Sequence, residues 1–289
     1  MDVGTRVEDA LRAALDRAKG DETPPKLAAA VEAAVFPGGN RLRPRLVLSV
    51  ALACGDPMPA ASDAAAVAIE FLHCASLVHD DMPCFDDAAV RRGQPSVHAA
   101  FGEPLALLTG DALIVQTFEH LACELSSAPA VLAPLVRLCA RSVGMADGLC
   151  AGQAWECEGS VELARYHAAK TGALFAASTV AGALAAGARP EPWRALGWRL
   201  GEAYQLADDL RDALATEEEL GKPVGQDQRH DRPNAVEALG PEGAVQELKR
   251  VIGTAVAAVP ACPGHRVLRK LIAAQAAAFL PDELAARVA

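Results

Sequence analysis

The sequence has few aromatic residues and lacks the alternating apolar pattern that is typical of strands. Only three Trp, two Tyr and seven Phe occur among 289 residues, although hydrophobic residues make up 52% of the chain. Much of this apolar content is Ala and Leu, which favour helices. Because Val, Ile and the aromatic residues do not cluster in alternating runs, the composition gives little support to a β-architecture.

Other absences bear on function. The net charge of −10 leaves no excess of basic residues for a nucleic-acid-binding face. The eight cysteines include no C-x-x-C pair and no accompanying histidine spacing, which argues against a zinc site. Reduced thiols fit a cytoplasmic protein. The amino-terminal segment is charged throughout, so we expect no secretory signal.

Apolar residues recur at helical spacing along the whole chain and predict an all-α protein. The longest uncharged apolar stretch, 172–188, is just short of a membrane span and rich in small residues, which predicts a buried, closely packed helix. No linker or repeat divides the sequence, so we predict a single domain over residues 1–289. The main predicted helices cover residues 7–20, 26–35, 45–54, 62–81, 104–122, 130–155, 163–186, 192–216, 241–256 and 264–279.

A cluster of carboxylates ends the helix predicted at 62–81. Asp80 and Asp81 are adjacent there, and Asp86 follows after Met82-Pro83, which must end the regular helix. Anions at the carbonyl end of a helix cost roughly 0.3–1 kcal/mol each, so a cation is the expected compensation. Hard oxygen ligands suit Mg²⁺, which usually completes its shell with substrate phosphate. The alternative is a polar loop with surface salt bridges.

A second acidic cluster lies in the segment YQLADDLRD. Asp208 and Asp209 are four and three residues before Asp212, which predicts that all three share one helix face. Like charges at this spacing repel each other, so a cation is again the expected compensation. Two such clusters together predict a helical cavity in which Mg²⁺ bridges a diphosphate between facing aspartates.

Basic residues accompany both acidic clusters. A Gly-Gly turn precedes the segment NRLRPRL, and its N–H groups together with Arg43 could bind an anion. Arg91 and Arg92 could hold phosphate oxygens that a metal leaves free. His73 lies seven residues before Asp80, about 10 Å along the helix axis and nearly on the same face. The polar segment 219–233 is predicted to form a lid over the site.

These segments resemble those of the trans-prenyl diphosphate synthases. The motifs that carry the resemblance occur in that family's order, namely GGNRLRP, HCASLVHDDMPCFDD, RRGQPS, GDAL, KTGALF, YQLADDLRD and GKPVGQD. Within the family the chain is most similar to the geranylgeranyl diphosphate synthases of bacterial carotenoid and bacteriochlorophyll pathways. The resemblance implies the all-α isoprenoid synthase fold around a central apolar cavity, and a homodimer.

The resemblance also implies a reaction and its residues. The reaction is a Mg²⁺-dependent, head-to-tail condensation of isopentenyl diphosphate with dimethylallyl, geranyl or farnesyl diphosphate. The implied metal ligands are Asp80, Asp81, Asp86, Asp208 and Asp212. The implied catalytic residues are Asp80, Asp81, Asp86, Asp208, Asp209, Lys170 and Arg91. The implied substrate contacts are Arg43, His73, Arg91, Arg92, Lys170, Thr171, Gln205 and Lys222.

Two positions depart from the family pattern. Asn40 stands where the family has a lysine that is expected to contact isopentenyl diphosphate, and Gln226 replaces a second expected lysine in the predicted lid. An amide supplies no charge, so we expect a raised KM for isopentenyl diphosphate. The neighbouring Arg41 could compensate for the first change.

Product length should depend on the helix that ends at Asp80. One helical turn rises about 5.4 Å, close to the length of one isoprene unit. Ala75 and Ser76, just over a turn before Asp80, are small and would let the product grow, whereas Phe71 or Leu72 could form the next floor. This predicts a twenty-carbon product.

Several alternatives stay open at this stage. A farnesyl diphosphate synthase is the main one, because one helix face does not define a pocket. A non-catalytic partner subunit of a synthase would tend to lose one aspartate motif, and both motifs are present here. A terpene cyclase would lack the GGNRLRP and RRG segments, and a purely structural helical protein would have no reason for six aspartates at unfavourable positions.

Overall fold

Helices form nearly the whole structure, as predicted. We describe residues 2–158, 162–214 and 234–279 in a computed structural model of the chain. The helices are α1 (Val3–Ala18), α2 (Pro25–Val35), α3 (Leu42–Ala53), α4 (Pro59–Asp80), α5 (Val97–Phe101), α6 (Glu103–Glu124), α7 (Pro129–Val143), α8 (Leu149–Ala154), α9 (Leu163–His167), α10 (Ala173–Ala185), α11 (Glu191–Leu214), α12 (Ala235–Ala257) and α13 (His265–Ala277). The strands β1 (Val90–Arg91) and β2 (Gln94–Pro95) form a small antiparallel hairpin that was not predicted.

Two helices lie at the centre of the bundle and account for its most apolar sequence. Helix α4 packs between α1, α3, α6 and α10, and α10 packs between α3, α7 and α11. All but one residue of α10 is buried, which confirms the closely packed helix predicted from its small side chains. Two helical stretches, Pro59–Asp80 and Ala164–Ala185, are long and apolar enough to cross a membrane, and most of each is buried inside the protein.

The helix predicted at 130–155 is wrong as a continuous element. Helix α7 ends at Val143, and the extended backbone of Gly144 and Gly148 separates it from α8 and a following turn of 3-10 helix, Trp155–Cys157. Glycine favours such breaks because its backbone is less restricted than that of other residues. The break reorients α8, so that its polar residues reach the end of α4.

The helix predicted at 163–186 is also interrupted. A π-helical turn, Ala168–Gly172, separates α9 from α10. Such turns are rare and often occur at functional sites. Four helices, α1, α3, α4 and α12, begin three or more residues before their predicted starts. Helix α3 includes Pro44 in its first turn, where backbone N–H groups have no helical partner, and α12 begins at Ala235 and bends at Gly240.

Candidate active site

The first acidic cluster lies where α4 ends. The Asp86 N–H donates to the Asp80 carbonyl at 3.0 Å, and the Ala88 N–H donates to the Asp81 carbonyl at 3.1 Å. These bonds show that the chain folds back after α4, so that the Asp86 backbone lies beside that of Asp80. The turn brings the side chains of Asp80 and Asp86 to the same end of the helix bundle.

Asp81 differs from its neighbour because it is buried against Arg91. The Arg91 Nε donates to Asp81 Oδ1 at 2.9 Å, and its Nη2 makes a second bond to the same oxygen. Burial raises the pKa of Asp81, and the Arg91 guanidinium partly offsets that effect. Asp81 and Arg91 thus bind each other in this structure. Their predicted roles toward metal and substrate stay predictions.

Lys170 lies opposite Asp80, in the π-helical turn. Its Nζ is 3.6 Å from Asp80 Oδ1 and 2.5 Å from Glu156 Oε1. The Tyr166 hydroxyl donates to the same Glu156 oxygen at 2.6 Å, and Gln153 Nε2 donates to Asp80 Oδ1 at 2.6 Å. Two carboxylates therefore fix the ammonium group beside the helix end.

Gln153 and Glu156 are not among the site residues predicted from the sequence. Both follow Gly152, whose absent side chain permits a close approach: a Cβ there would lie 2.5 Å from the Lys170 Cα. The predicted continuous helix at 130–155 obscured these residues. An amide and a carboxylate three residues apart, just after a glycine-rich break, were the signal that could have revealed them.

The second acidic cluster divides between two environments. Asp208 is partly exposed and accepts from Arg211 Nη2 at 3.3 Å. Asp209 is buried instead. It accepts from Gln205 Nε2 at 2.9 Å and from the Ala235 N–H, at the start of α12, at 2.8 Å. Asp209 therefore fixes α12 to α11, while Asp208 and the partly buried Asp212 remain closer to solvent.

Gln205 also connects this helix to the π-helical turn. The Thr171 hydroxyl donates to Gln205 Oε1 at 2.7 Å. His167 Nε2 lies 3.9 Å from Asp209. Burial lowers the pKa of His167 to about 4, so this histidine is neutral near pH 7 and the contact is not an ion pair. Thr171 and Gln205, both predicted to contact substrate, lie side by side.

A polar cavity of about 300 Å³ opens between α3, α4 and α11. Arg43 Nη1 lies 3.3 Å from His73 Nε2, and its guanidinium lies 4.6 Å above the Phe175 ring. Burial, together with the nearby arginines, lowers the pKa of His73, so the imidazole is neutral. The cavity is lined by residues 39–43, Glu70, His73, Leu77, Arg91, Arg92, Tyr204, Asp208 and Arg211.

The Gly-Gly turn forms one wall of this polar cavity. Arg92 Nη1 donates to the Gly38 carbonyl at 2.5 Å. The guanidinium lies over Gly39, where a Cβ would be only 2.6 Å from Arg92 Cζ. Gly39 also has a φ of +125°, a conformation that favours glycine. The turn thus holds Arg92 at the edge of the cavity, beside the exposed Asn40.

Arg41 cannot compensate for Asn40, contrary to one expectation from the sequence. Its Nε donates to Glu8 at 2.7 Å, its Nη1 to Glu70 at 2.7 Å and its Nη2 to the Val35 carbonyl at 2.6 Å. Its pKa is raised although burial alone would lower it, because these two carboxylates stabilise the charge. Arg41 therefore lies in the cavity wall and stabilises the fold there, with its donors directed to Glu8, Glu70 and the Val35 carbonyl.

A second, apolar cavity of about 360 Å³ lies on another face of α4. Leu72, Ala75 and Ser76, which are predicted to limit product length, line it. Phe71 does not line this cavity. Its fully buried ring packs edge-on against His120, with 6.2 Å between ring centroids. The other lining residues are His79, Phe85, Ile114, Val143, Leu149, Cys150, Gln153, Ala154 and Cys157.

The donor set suits Mg²⁺ only together with a substrate. No group of three metal-binding side chains converges within the described ranges. Asp80 and Asp86 nevertheless offer carboxylate oxygens at one end of the bundle, and Mg²⁺ is commonly held by one or two carboxylates plus substrate phosphates. Lys222 and Gln226 lie outside the described residues.

Comparisons with known proteins agree with this geometry. A family model described as polyprenyl synthetase matches residues 24–261. Geranylgeranyl diphosphate synthase from Cereibacter sphaeroides is 56% identical over 98% of both chains, and that from Rhodobacter capsulatus is 53% identical over 94% of both. A solved structure of Helicobacter pylori geranyltransferase, complexed with magnesium and isoprenyl diphosphate, has a TM-score of 0.79 and 28% identity, and the match covers 94% of this chain and 96% of that one.

Proposed function

The chain belongs to the polyprenyl synthetase family and is a prenyltransferase, and from this premise we propose that its product is geranylgeranyl diphosphate. In the proposed reaction, isopentenyl diphosphate condenses head to tail with dimethylallyl, geranyl or farnesyl diphosphate. The 56% identity to a synthase of that name supports the proposed product. We further propose that residues 1–289 form one domain and that the enzyme acts in the cytoplasm.

The observation that carries the proposal is that the last turns of α4, which lead to Asp80, separate two different cavities. On one face of α4, Leu72, Ala75 and Ser76 line an apolar cavity suited to a prenyl chain. On another face, His73 and Leu77 line the polar cavity with its arginines. An allylic diphosphate with its tail in the first cavity would have its reacting carbon near the opening of the second.

The polar cavity supports isopentenyl diphosphate as its occupant. Arg43 and Arg92 offer guanidinium donors to a diphosphate, and neutral His73 adds one ring N–H. The carbon–carbon step then becomes effectively unimolecular, because both reactants are held in place. The carbon–oxygen bond of the allylic diphosphate breaks, the new carbon–carbon bond forms, and the departing diphosphate accepts the released proton.

Lys170 and the acidic clusters would bind the allylic diphosphate. Asp80 and Asp86 on one side, and Asp208 and Asp212 on the other, would hold Mg²⁺ together with phosphate oxygens. Bound Mg²⁺ supplies charge stabilisation for the departing diphosphate. The Lys170 ammonium and the second N–H of Gln205 Nε2 would donate further hydrogen bonds to it, whereas the Thr171 hydroxyl already donates to Gln205 and would hold that amide in place. The buried apolar walls would exclude the water that quenches an allylic cation.

A farnesyl diphosphate synthase is the alternative within the family. It would need a bulky group on the wall that holds Ala75 and Ser76, and both residues are small. A non-catalytic partner subunit is a further alternative. One chain contains both acidic clusters and the polar cavity with its arginines. This combination favours an active enzyme over a non-catalytic subunit.

The exposed apolar residues of α6 support a homodimer. Leu107, Leu108 and Val115 have relative exposures of 49%, 52% and 66%. Clustered exposed apolar side chains commonly mark protein–protein contacts. Replacing Leu108 by Asp should convert the dimer to monomers in sedimentation experiments. A wild-type chain that sediments as a monomer would refute this part of the proposal.

The reaction itself is tested by incubating purified protein with Mg²⁺, isopentenyl diphosphate and each allylic primer, and measuring product length by mass spectrometry. A chelator should abolish turnover and excess Mg²⁺ should restore it. Asp80→Asn should lower kcat by about a hundredfold or more. Asp87→Asn, a matched change at an exposed carboxylate nearby, should leave kcat near the wild-type value. Equal losses in both variants would contradict the role given to Asp80.

A further inference from the structure

A third cavity lies away from the candidate active site. It is a groove of about 650 Å³ between α7, α10 and the start of α11, and we call it the α7–α10 groove. Its floor consists of small or apolar side chains, among them Ala177, Val180 and Leu184. The small residues leave space in the groove, and its apolar floor resembles a site for an apolar chain.

Charged side chains line the edge of this groove. Asp147 lies 3.7 Å from Arg141, and Glu191 lies 3.9 Å from Arg189, so both carboxylates already have a cation nearby. Arg137 and Arg194 also line the groove, and neither has a hydrogen bond or ion pair to any described residue. An apolar floor beside two guanidiniums without acidic partners is complementary to an amphipathic anion.

The groove is joined to the active site by one close contact. Trp198 forms part of its wall, and its ring lies against Gly172, where a Cβ would be only 2.5 Å from Trp198 Cε3. Gly172 ends the π-helical turn that contains Lys170 and Thr171. A ligand that displaces Trp198 would therefore also shift the backbone at Gly172, which positions these two side chains.

We propose that the α7–α10 groove binds a second ligand, an apolar chain with a phosphate or diphosphate head, and that its binding lowers turnover. The head contacts Arg137 and Arg194, and the chain covers Ala177, Val180 and Leu184. The product of the proposed reaction has this chemistry, and so does a lysophospholipid. The effect on turnover rests on the proposed function, whereas binding to the groove does not.

Calorimetric titration of the full chain tests the binding. Geranylgeranyl diphosphate, oleoyl lysophosphatidate and inorganic diphosphate serve as probes. We expect two molecules of geranylgeranyl diphosphate per chain, one of which occupies the groove. If the groove binds any apolar chain with a phosphate head, lysophosphatidate should bind there and nowhere else, with one molecule per chain. If lysophosphatidate does not bind, the groove is specific for the prenyl compound. Inorganic diphosphate should not bind the groove, because it lacks a chain.

Two variants separate the head contacts from the chain contacts. Arg137→Ser combined with Arg194→Ser should weaken the groove affinity about tenfold or more, since each serine removes a guanidinium from the anion. Ala133→Trp, at an exposed position on α7, should fill the groove and remove the second molecule without changing charge. Arg266→Ser with Arg269→Ser, on the exposed side of α13, is the control with the same charge change.

Inhibition kinetics test the effect on turnover. In the wild type, geranylgeranyl diphosphate should lower kcat at saturating substrates, and the Arg137/Arg194 double variant should lose this component while retaining competitive inhibition. One bound molecule per wild-type chain, or unchanged affinity in the double variant, would overturn the groove site. Absence of prenyltransferase activity would overturn the proposed function instead, and calorimetry would still measure binding to the groove.

Discussion

Asn40→Lys is the substitution whose effect follows most directly from the structure. Asn40 is exposed at the edge of the polar cavity, where Arg43, His73 and Arg92 would surround isopentenyl diphosphate. Arg41, the neighbouring cation, is buried in the cavity wall and donates to Glu8, Glu70 and the Val35 carbonyl. A lysine at position 40 would therefore add a positive charge that no existing side chain supplies.

The size of the effect can be worked out from exposure and charge. Two unit charges about 4 Å apart attract by about 4 kcal/mol at an effective dielectric constant near 20. Because the position is exposed, screening and the ordering of a long side chain reduce the gain to about 1–1.5 kcal/mol. That corresponds to roughly a tenfold lower KM for isopentenyl diphosphate. kcat should not change, because the contact is the same in ground state and transition state.

The assay is a steady-state measurement of both KM values at saturating co-substrate and two ionic strengths. KM for isopentenyl diphosphate should fall in Asn40→Lys, and the gain should shrink at high salt because exposed charges are screened. Asn40→Gln, a neutral control of similar length, should change little. An unchanged KM in Asn40→Lys, or an equal decrease in Asn40→Gln, would refute the role given to the missing charge at position 40.

Three further predictions concern product length, activity and acid stability. Ala75→Tyr should shorten the product from twenty toward fifteen carbons, because the ring would fill the apolar cavity; product mass spectra check this. Gly152→Ala should cost about 1–3 kcal/mol and lower kcat, because its Cβ would meet the Lys170 backbone at 2.5 Å, whereas Gly253→Ala, with free space around it, should not destabilise the chain. Burial lowers the pKa of His120 to about 4 from its ordinary 6.5, so the unfolded chain binds the proton more readily between these values and stability falls as the pH decreases. His120→Gln should remove about 1–2 kcal/mol of the stability lost between pH 7 and pH 5, measured by urea unfolding.

Each of these predictions has a result that would contradict it. An unchanged product in Ala75→Tyr would mean that the tail does not pass along this face of α4. Equal urea midpoints for the Gly152 and Gly253 variants would mean that the α8 contact tolerates a methyl group. An unaltered pH dependence in His120→Gln would assign the acid sensitivity to other groups, such as His167, whose pKa is also lowered to about 4 by burial.

Periodicity predicted the helical class and most helix positions because apolar spacing directly reflects burial. Apolar periodicity predicted α4, and Met82-Pro83 located its acidic end because the residue before a proline avoids the helical conformation. It could not give the break at Gly144 or the π-helical turn at 168–172. Both depend on backbone hydrogen bonding and on neighbouring helices, and neither changes the apolar pattern.

Individual side-chain directions were the least predictable part of the site. Spacing placed Asp208 and Asp209 together, yet one faces the cavity and the other caps the start of α12. Charge alone made Arg41 a candidate for anion binding, whereas two carboxylates from α1 and α4 hold it in the interior. Such outcomes are decided by residues far away in sequence, which no local pattern contains.

The π-helical turn has a consequence for how this sequence can change by deletion. A π turn accommodates one residue more than a regular helix, so loss of one codon within 168–172 should restore an uninterrupted helix from α9 into α10. Each residue advances the helix by about 100°, so Lys170 or Thr171 would rotate away from Glu156 or Gln205. We expect the shortened protein to melt at a higher temperature and to have lost its activity. Selection for heat resistance alone would therefore favour this one-residue deletion, although the deletion removes the activity.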